Sequence, residues 1–557
     1  MFKTLYVAIG CIFLLTMSTV CASDKNVLVT GAPIAGAANG IFFDQDDNLW
    51  VASAFGQAIR KIDPESGEIL DQLGPAELVF FPDDLTFDAF GNLYWTDVGV
   101  GAVFGRLPGG PTFPVALGFP SANPITFSDD GRLFFAQCFD TGPAGNGIFE
   151  ADPFGMLAPS AIRTGDLGCA SNGMDWWGGD LYAPRWYEGR VVKVDITTGN
   201  LTDVTTGWGV PTAVKFNSLG ELHAVNQGNG EVVKIDLISG DRDVLATFPY
   251  GWSDNLAFDS NDRLFVSSAT DATIAEILPD GGIRIVSPGG MTVPMGIALI
   301  GDTVYVGEPQ SVRGFDTHTG EDVSVSRSAF GIGPALFTTA VSSIGEHLVL
   351  LSLTTGQVLL WDPSTDSPIG QSFFAAPVDA EPFGDQLLIS DAGIGSVVMV
   401  SVSDLDDRET IASGFYFPAG LAVYEDNAYV SDTVLGAVFQ IMRDGEVLAI
   451  PEMVATGLAG PEGIALRSDG NKLLVVEGAT SSLKEIHLQS GKVKTIANEL
   501  GFQPSVGPDL PAQWFNDVDI DADGAMYVNA DGANVIYKLN SHGNVKWHDL
   551  RSRRLSI

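Results

Sequence analysis

Six oxygen-bearing side chains recur at matching places in the first half of the chain: Asn39, Asp83, Asn123, Asn172, Thr212 and Asp254, with Asn255 directly after the last. Carboxylates, amide carbonyls and hydroxyls are the donors a hard cation takes, and calcium accepts them at irregular geometry with water completing the shell. Zinc fits poorly, because His223 is the only histidine of this half and no thiolate cluster accompanies it. If the six positions converge, Asn39, Asp83, Asn123, Asn172, Asp254 and Asn255 are the expected calcium ligands. Asn and Asp also cap strand starts and turns by bonding nearby backbone, so the column carries this reading and no single residue does.

Convergence requires a fold that repeats. Each of these residues opens a stretch of alternating apolar residues, a turn and a second strand, as in Asn39-Gly40-Ile41-Phe42-Phe43-Asp44 with Asn48-Leu49-Trp50-Val51. Asp83-Asp84-Leu85-Thr86-Phe87-Asp88 with Gly91-Asn92-Leu93-Tyr94-Trp95 repeats the pattern. In the second half the corresponding anchors are Met295, Thr339, Asp379, Ala419, Glu462 and Asn516. Anchors stand about 40 to 54 residues apart, the period of a four-stranded propeller blade. No segment carries a long apolar period of 3.6, so almost no helix is expected. The sequence therefore predicts an all-β chain of about twelve four-stranded blades forming two tandem six-bladed β-propellers. The expected division is a leader over 1–22, propeller 1 over 23–290 and propeller 2 over 291–557, with the boundary near Ser287-Pro288-Gly289-Gly290. The strand-like Asn26-Val27-Leu28-Val29-Thr30 precedes the first anchor and is expected on the outer edge of a terminal blade.

In such a ring the innermost strands start beside a central channel, which makes the anchor column the place for chemistry. The second column is interrupted by Met295 and Ala419, so a weaker metal site or a structural ring is expected there, with Glu462 and Asn516-Asp517 keeping a second site open.

Composition narrows the partners. The chain has 557 residues, 29 Lys and Arg against 69 Asp and Glu, and a formal charge of −40. Nucleic acid and anionic membrane are poor partners for such a surface, since both need cationic patches. Met1-Phe2-Lys3, an apolar run from Leu5 to Met17 and a small-residue site at Ala22 read as an export signal, hence a secreted or periplasmic protein without a membrane span. Cys138 and Cys169 would remain after cleavage, either bridged or as two buried thiols.

Ser171-Asn172-Gly173-Met174-Asp175-Trp176 resembles the blade signature of the senescence-marker-protein and gluconolactonase family, with the paraoxonases among its relatives. Ser253-Asp254-Asn255-Leu256-Ala257-Phe258-Asp259 resembles the paraoxonase blade that binds catalytic calcium; NHL and YWTD-type propellers share the frame, and Leu93-Tyr94-Trp95-Thr96-Asp97 is similar to the hallmark of the YWTD type. The resemblance implies calcium held by a Glu, two Asn and an Asp. Asn123 and Asn172 match the two Asn, whereas Asn39 and Thr212 stand where the family has Glu and Asp. It further implies hydrolysis of a lactone- or ester-like small molecule, calcium stabilising the oxyanion and Asp254 acting as base or nucleophile. Trp176, Trp177, Trp186 and Tyr187 are candidates for an apolar wall or for core between blades. The alternative function is a non-catalytic exported module binding a protein, peptide or glycan. A lyase has little support, because no His and Glu constellation accompanies the column.

Overall fold

Every repeat folds for the same local reason: four short runs of alternating residues, separated by turns that Asp and Gly specify. The Asp that ends an inner strand staples the first turn. Asp44 accepts from the backbone N–H groups of Asp46 and Asn48, and Asp88 does the same for Phe90 and Asn92. A second Asp staples the turn to the outermost strand. Asp63, Asp195, Asp236 and Asp316 each accept two N–H groups, two and three residues ahead, before a glycine of positive φ such as Gly67 or Gly199. Only glycine takes that conformation cheaply. Much of the acidity is thus spent on turns, and these exposed carboxyls are held below the usual range by the N–H groups they accept.

The computed structural model describes residues 26–137, 146–165, 173–249, 252–327, 337–503 and 515–540. They form twelve four-stranded antiparallel sheets. In blades 1 to 6 the innermost strands are Ile41–Phe43, Pro82–Phe87, Ala122–Phe127, Asp175–Trp177, Pro211–Phe216 and Ser253–Phe258. In blades 7 to 12 they are Met295–Ile300, Ala340–Ile344, Pro377–Phe383, Pro418–Tyr424, Pro461–Leu466 and Val518–Ile520. Each inner strand packs against that of the next blade, and the contacts of blade 6 with blade 1 and of blade 12 with blade 7 close two rings of six. The expected all-β tandem propeller is what the chain forms. Helix is confined, among the described residues, to three single-turn segments.

The strand Asn26–Thr30 is the outermost strand of blade 12, pairing antiparallel with Val535–Leu539. The second ring is therefore closed by the start of the chain, which then crosses into the first ring. Asn534 holds that crossing: its Nδ2 donates to the carbonyls of Ala32 and Met291, and its Oδ1 accepts from Val293 N.

The core lies between blades, because each sheet is apolar on both faces and must cover both. Ile59, Leu85, Trp95 and Phe104 fill the space between blades 1 and 2, while Phe43 meets Phe265 edge-on at 5.0 Å where blade 6 returns to blade 1. A fully buried side chain of this size contributes about 1.5–3 kcal/mol.

Candidate functional site at the ring axes

Positions in every blade are aligned on blade 2, where Pro82 is first, Asp83 second and Asp84 third. The expected column occupies the second position in the first ring. Asn39, buried at 6 % exposure, turns its Oδ1 onto the N–H of Ala54 in its own blade. Thr212 donates to the carbonyl of Ser253 in the next blade at 3.1 Å. Asn172 lies outside the described residues, as do Cys138 and Cys169. Asp83 is partly buried and lies within hydrogen-bonding reach of the Asn123 side chain. Its Oδ1 is shut from solvent without a hydrogen-bond partner, as is Ser253 Oγ, one residue before Asp254. Burial, then the charges of Asp84 and Asp97, hold the Asp83 carboxyl well above the ordinary range.

One residue deeper, the third position forms a plug. Asp84 is fully buried. Its Oδ2 accepts from Ile125 N of blade 3 at 3.1 Å, and its Oδ1 accepts from Asn255 Nδ2 of blade 6 at 3.1 Å. Asn255 thus belongs to the floor and reaches toward blade 2, over Gly40 of the intervening blade 1. A Cβ on Gly40 would come within 2.5 Å of Asp84 Oδ1, and one on Gly173 within 2.8 Å of Asn255 Oδ1, so both positions need glycine to let these side chains through.

The fifth position holds a residue that the column reading overlooks. Lys215 is 4 % exposed. Its Nζ donates to the carbonyl of Met174 and lies 5.3 Å from the ring of Phe42. Its charge acts on Asp84 and Asp175. Burial raises both carboxyls, Asp84 to about 7, and Lys215 opposes the rise. Asp175 accepts from Thr126 Oγ1 and, at 2.7 Å, from Phe216 N. The first ring therefore carries an internal cation beyond a floor of Asp84 and Asn255, with Asp83, Asn123 and Asp254 at the preceding position of blades 2, 3 and 6.

The second ring reuses the same devices with another charge pattern. The N–H of Asp379 donates to Ser390 Oγ, as those of Asp84 and Asn255 do to Thr96 and Ser267, which sets Asp379 at the third position. Placing it in one column with Glu462 and Asn516 misaligns blade 9 by one residue; Val378 is the true counterpart of Asp83. The third and fifth positions then bring Asp379 and Glu381 of blade 9 opposite Asp517 and Asp519 of blade 12. Asp379 Oδ2 accepts from Leu421 N and Asp519 Oδ2 from Leu299 N, both at 2.8 Å, matching the clasps of Asp84 and Asp175 in the first ring. At the second position, Glu462 Oε2 accepts from Asn516 N and Nδ2. Burial raises Glu462 to about 8, Asp531 to about 7 and Asp519 to about 6. Among the described residues, no three His, Cys, Asp or Glu side chains converge closely enough to hold a metal on their own, so any such ion here would draw on amide, hydroxyl or water oxygens too.

The aromatic residues of blade 4 divide between the two ends of the sheet. Trp176 stacks on Phe134 at 5.5 Å and Trp177 on Phe216 at 5.4 Å, as packing between blades. Trp186 is buried and Tyr187 is 63 % exposed at the opposite end. The Asp of the Tyr-Trp-Thr-Asp segment is structural, since Asp97 Oδ2 accepts from Phe80 N and Phe81 N and so ties the approach to blade 2. Asp391 and Asp432 repeat this in blades 9 and 10.

No protein-family model and no curated protein sequence matches the chain. Among solved structures it is similar to a streptogramin B lyase, at 18% identity and a TM-score of 0.37, over 51% of this chain and 93% of that one. It is also similar to the extracellular domain of a putative one-component system from B. thetaiotaomicron, at 11% identity and a TM-score of 0.31, over 93% and 83%. The extracellular domain of a putative hybrid two-component system of the same organism gives 12%, 0.31, 93% and 82%. At these identities the likeness concerns fold alone. No helix among the described residues is long and apolar enough to cross a membrane.

Proposed function

We propose that this is an exported double propeller whose first ring binds a hard divalent cation of the calcium class at the mouth of its axis. Asp83, Asn123 and Asp254 would hold it, and through it a small ligand bearing a carbonyl or ester oxygen. The observation that carries this reading is the buried Asp83 oxygen with no hydrogen-bond partner, beside an amide and above a closed floor. A buried carboxylate without compensation costs several kcal/mol, and a bound cation reverses that cost. Bound there, the ion would supply Lewis acidity toward a lactone or ester carbonyl. The chain's own contribution would be to orient that ion between Asp83 and Asp254 on separate blades above the closed floor, with Asp254 as the candidate base toward water. Calcium-dependent turnover of a lactone and aryl-ester panel, lost in Asp83→Asn and Asp254→Ala, tests this. Turnover that ignores both substitutions and calcium would refute it.

A second reading, a partner-binding module, is favoured by one patch. Tyr416, Val434 and Leu435 are exposed at 71%, 54% and 42%, and Asp432 holds all three by their N–H groups. Single exposed apolar residues are ordinary, but a fixed cluster marks a contact surface. A stoichiometric partner released by Tyr416→Ser would support it.

A further inference from the structure

A recess of about 570 Å³ lies off the axis in blade 5, where the connection Gly207-Trp208-Gly209 arrives from blade 4. Its polar lining is Asn226, Asn229, Glu231 and Arg242. The buried indole of Trp208 fixes the two charged groups relative to each other. Its Nε1 donates to Glu231 Oε2 at 2.7 Å, and the Arg242 guanidinium stands over its ring at 5.6 Å. Arg242 is held further by Thr205 Oγ1 and the Thr206 carbonyl, which accept from Nη1 at 2.6 and 3.1 Å. An acid at the edge of one indole and a base over its face therefore line a single recess, and neither makes an ion pair among the described residues.

A guanidinium without a carboxylate stands out in a chain with 29 Lys and Arg against 69 Asp and Glu. Nearby arginines are paired: Arg190 meets Glu188 and Asp203, and Arg263 meets Asp259. Arg242 spends only Nη1 on the described chain, so its Nε and Nη2 donors, the fork that matches a carboxylate, are left over. Glu231 likewise spends Oε2 on Trp208 and keeps Oε1. A lone anion would meet the charge of Glu231 and a lone cation that of Arg242, whereas a molecule carrying both charges satisfies both. Trp208 is buried, so its ring offers no open face on which a sugar could stack. The recess has the volume of a small-molecule site, and the exposed Val244 and the Asn229 amide flank it. We propose that it binds a free α-amino acid, with the carboxylate on the Nε and Nη2 edge of Arg242 and the ammonium on Glu231 Oε1. This site is independent of the cation site at the axis of the first ring.

The test is calorimetric titration of L-leucine and of L-glutamine into the full-length protein at about pH 7, where both are dipolar. Isocaproate and isoamylammonium, each lacking one of the two charges of leucine, are the controls. Saturable binding of at least one amino acid is expected, weakened about tenfold or more in Arg242→Gln and in Glu231→Gln, with neither control bound comparably. Glu231→Gln keeps an acceptor for Trp208 Nε1, so it decides the matter if Arg242→Gln disturbs the fold. No saturable binding of either amino acid, unchanged affinity in folded Glu231→Gln, or a control that binds as tightly would each overturn the proposal.

Discussion

Asn255 Nδ2 donates to Asp84 Oδ1 at 3.1 Å, joining blade 6 to blade 2 across blade 1. This bond closes the floor of the first ring. Asp83 and Asp254 precede its two members in their strands, and Lys215 lies two positions further along blade 5.

The ammonium of Lys215 is the counter-charge of Asp84 and Asp175. Lys215→Met should destabilise the protein by about 1–3 kcal/mol in urea unfolding, since it strands the Met174 carbonyl and removes the charge that opposes the burial of Asp84 and Asp175. Adding Asp84→Asn to that variant should recover a large part of the loss, a coupling that a double-mutant cycle measures.

Stability should fall as pH rises from about 4.5 to about 8. Glu462, Asp531, Asp84 and Asp519 keep their protons in the folded state to about 8, 7, 7 and 6, whereas the unfolded chain releases them near the ordinary values of 4.5 for Glu and 3.8 for Asp. The folded state therefore binds more protons across that window, and each pKa unit corresponds to about 1.4 kcal/mol. Melting temperatures between about pH 4.5 and 8.5, without added cations, should decline, and Glu462→Gln should flatten the slope.

Asp432 gathers four backbone N–H groups, those of Tyr416, Phe417, Val434 and Leu435. Asp432→Ala strands them, and a loss of about 2–4 kcal/mol is expected in thermal or urea unfolding. Asp432→Asn, which keeps one acceptor oxygen, should lose less.

Deleting the segment through Thr30 removes the outermost strand of blade 12 and uncovers the edge of Val535–Leu539. An exposed strand edge invites pairing with other chains. The truncated protein should be cleaved within blade 12 far sooner than the intact chain in limited proteolysis, and should self-associate in sedimentation.

The rings were legible in the sequence because a blade's local code, alternation plus Asp and Gly turns, recurs without long-range information. The outward place of Asn26–Thr30 followed from the same count. The axis was less legible. Whether a polar residue at an inner-strand start faces the channel, its own blade or the next one depends on a one-residue register, since neighbouring side chains point opposite ways. Asn39 and Asn255 share a residue type yet bond to different blades. Asp379 looks like an anchor but sits one step deeper. Lys215 was missed because Pro-Thr-Ala-Val-Lys-Phe reads as a strand with one solvated face, and only the closed ring shows that this face meets the axis. A lysine at the place where other blades carry Ala257 or Thr126 was the available signal.

The most direct test of a cation site at the first ring's mouth is calorimetric titration of calcium into the full-length protein and Asp83→Asn. Binding to one site in the parent, weakened about tenfold or more by the substitution, is the result expected. A parent that takes up no calcium, or a variant that binds it as tightly, would contradict the account.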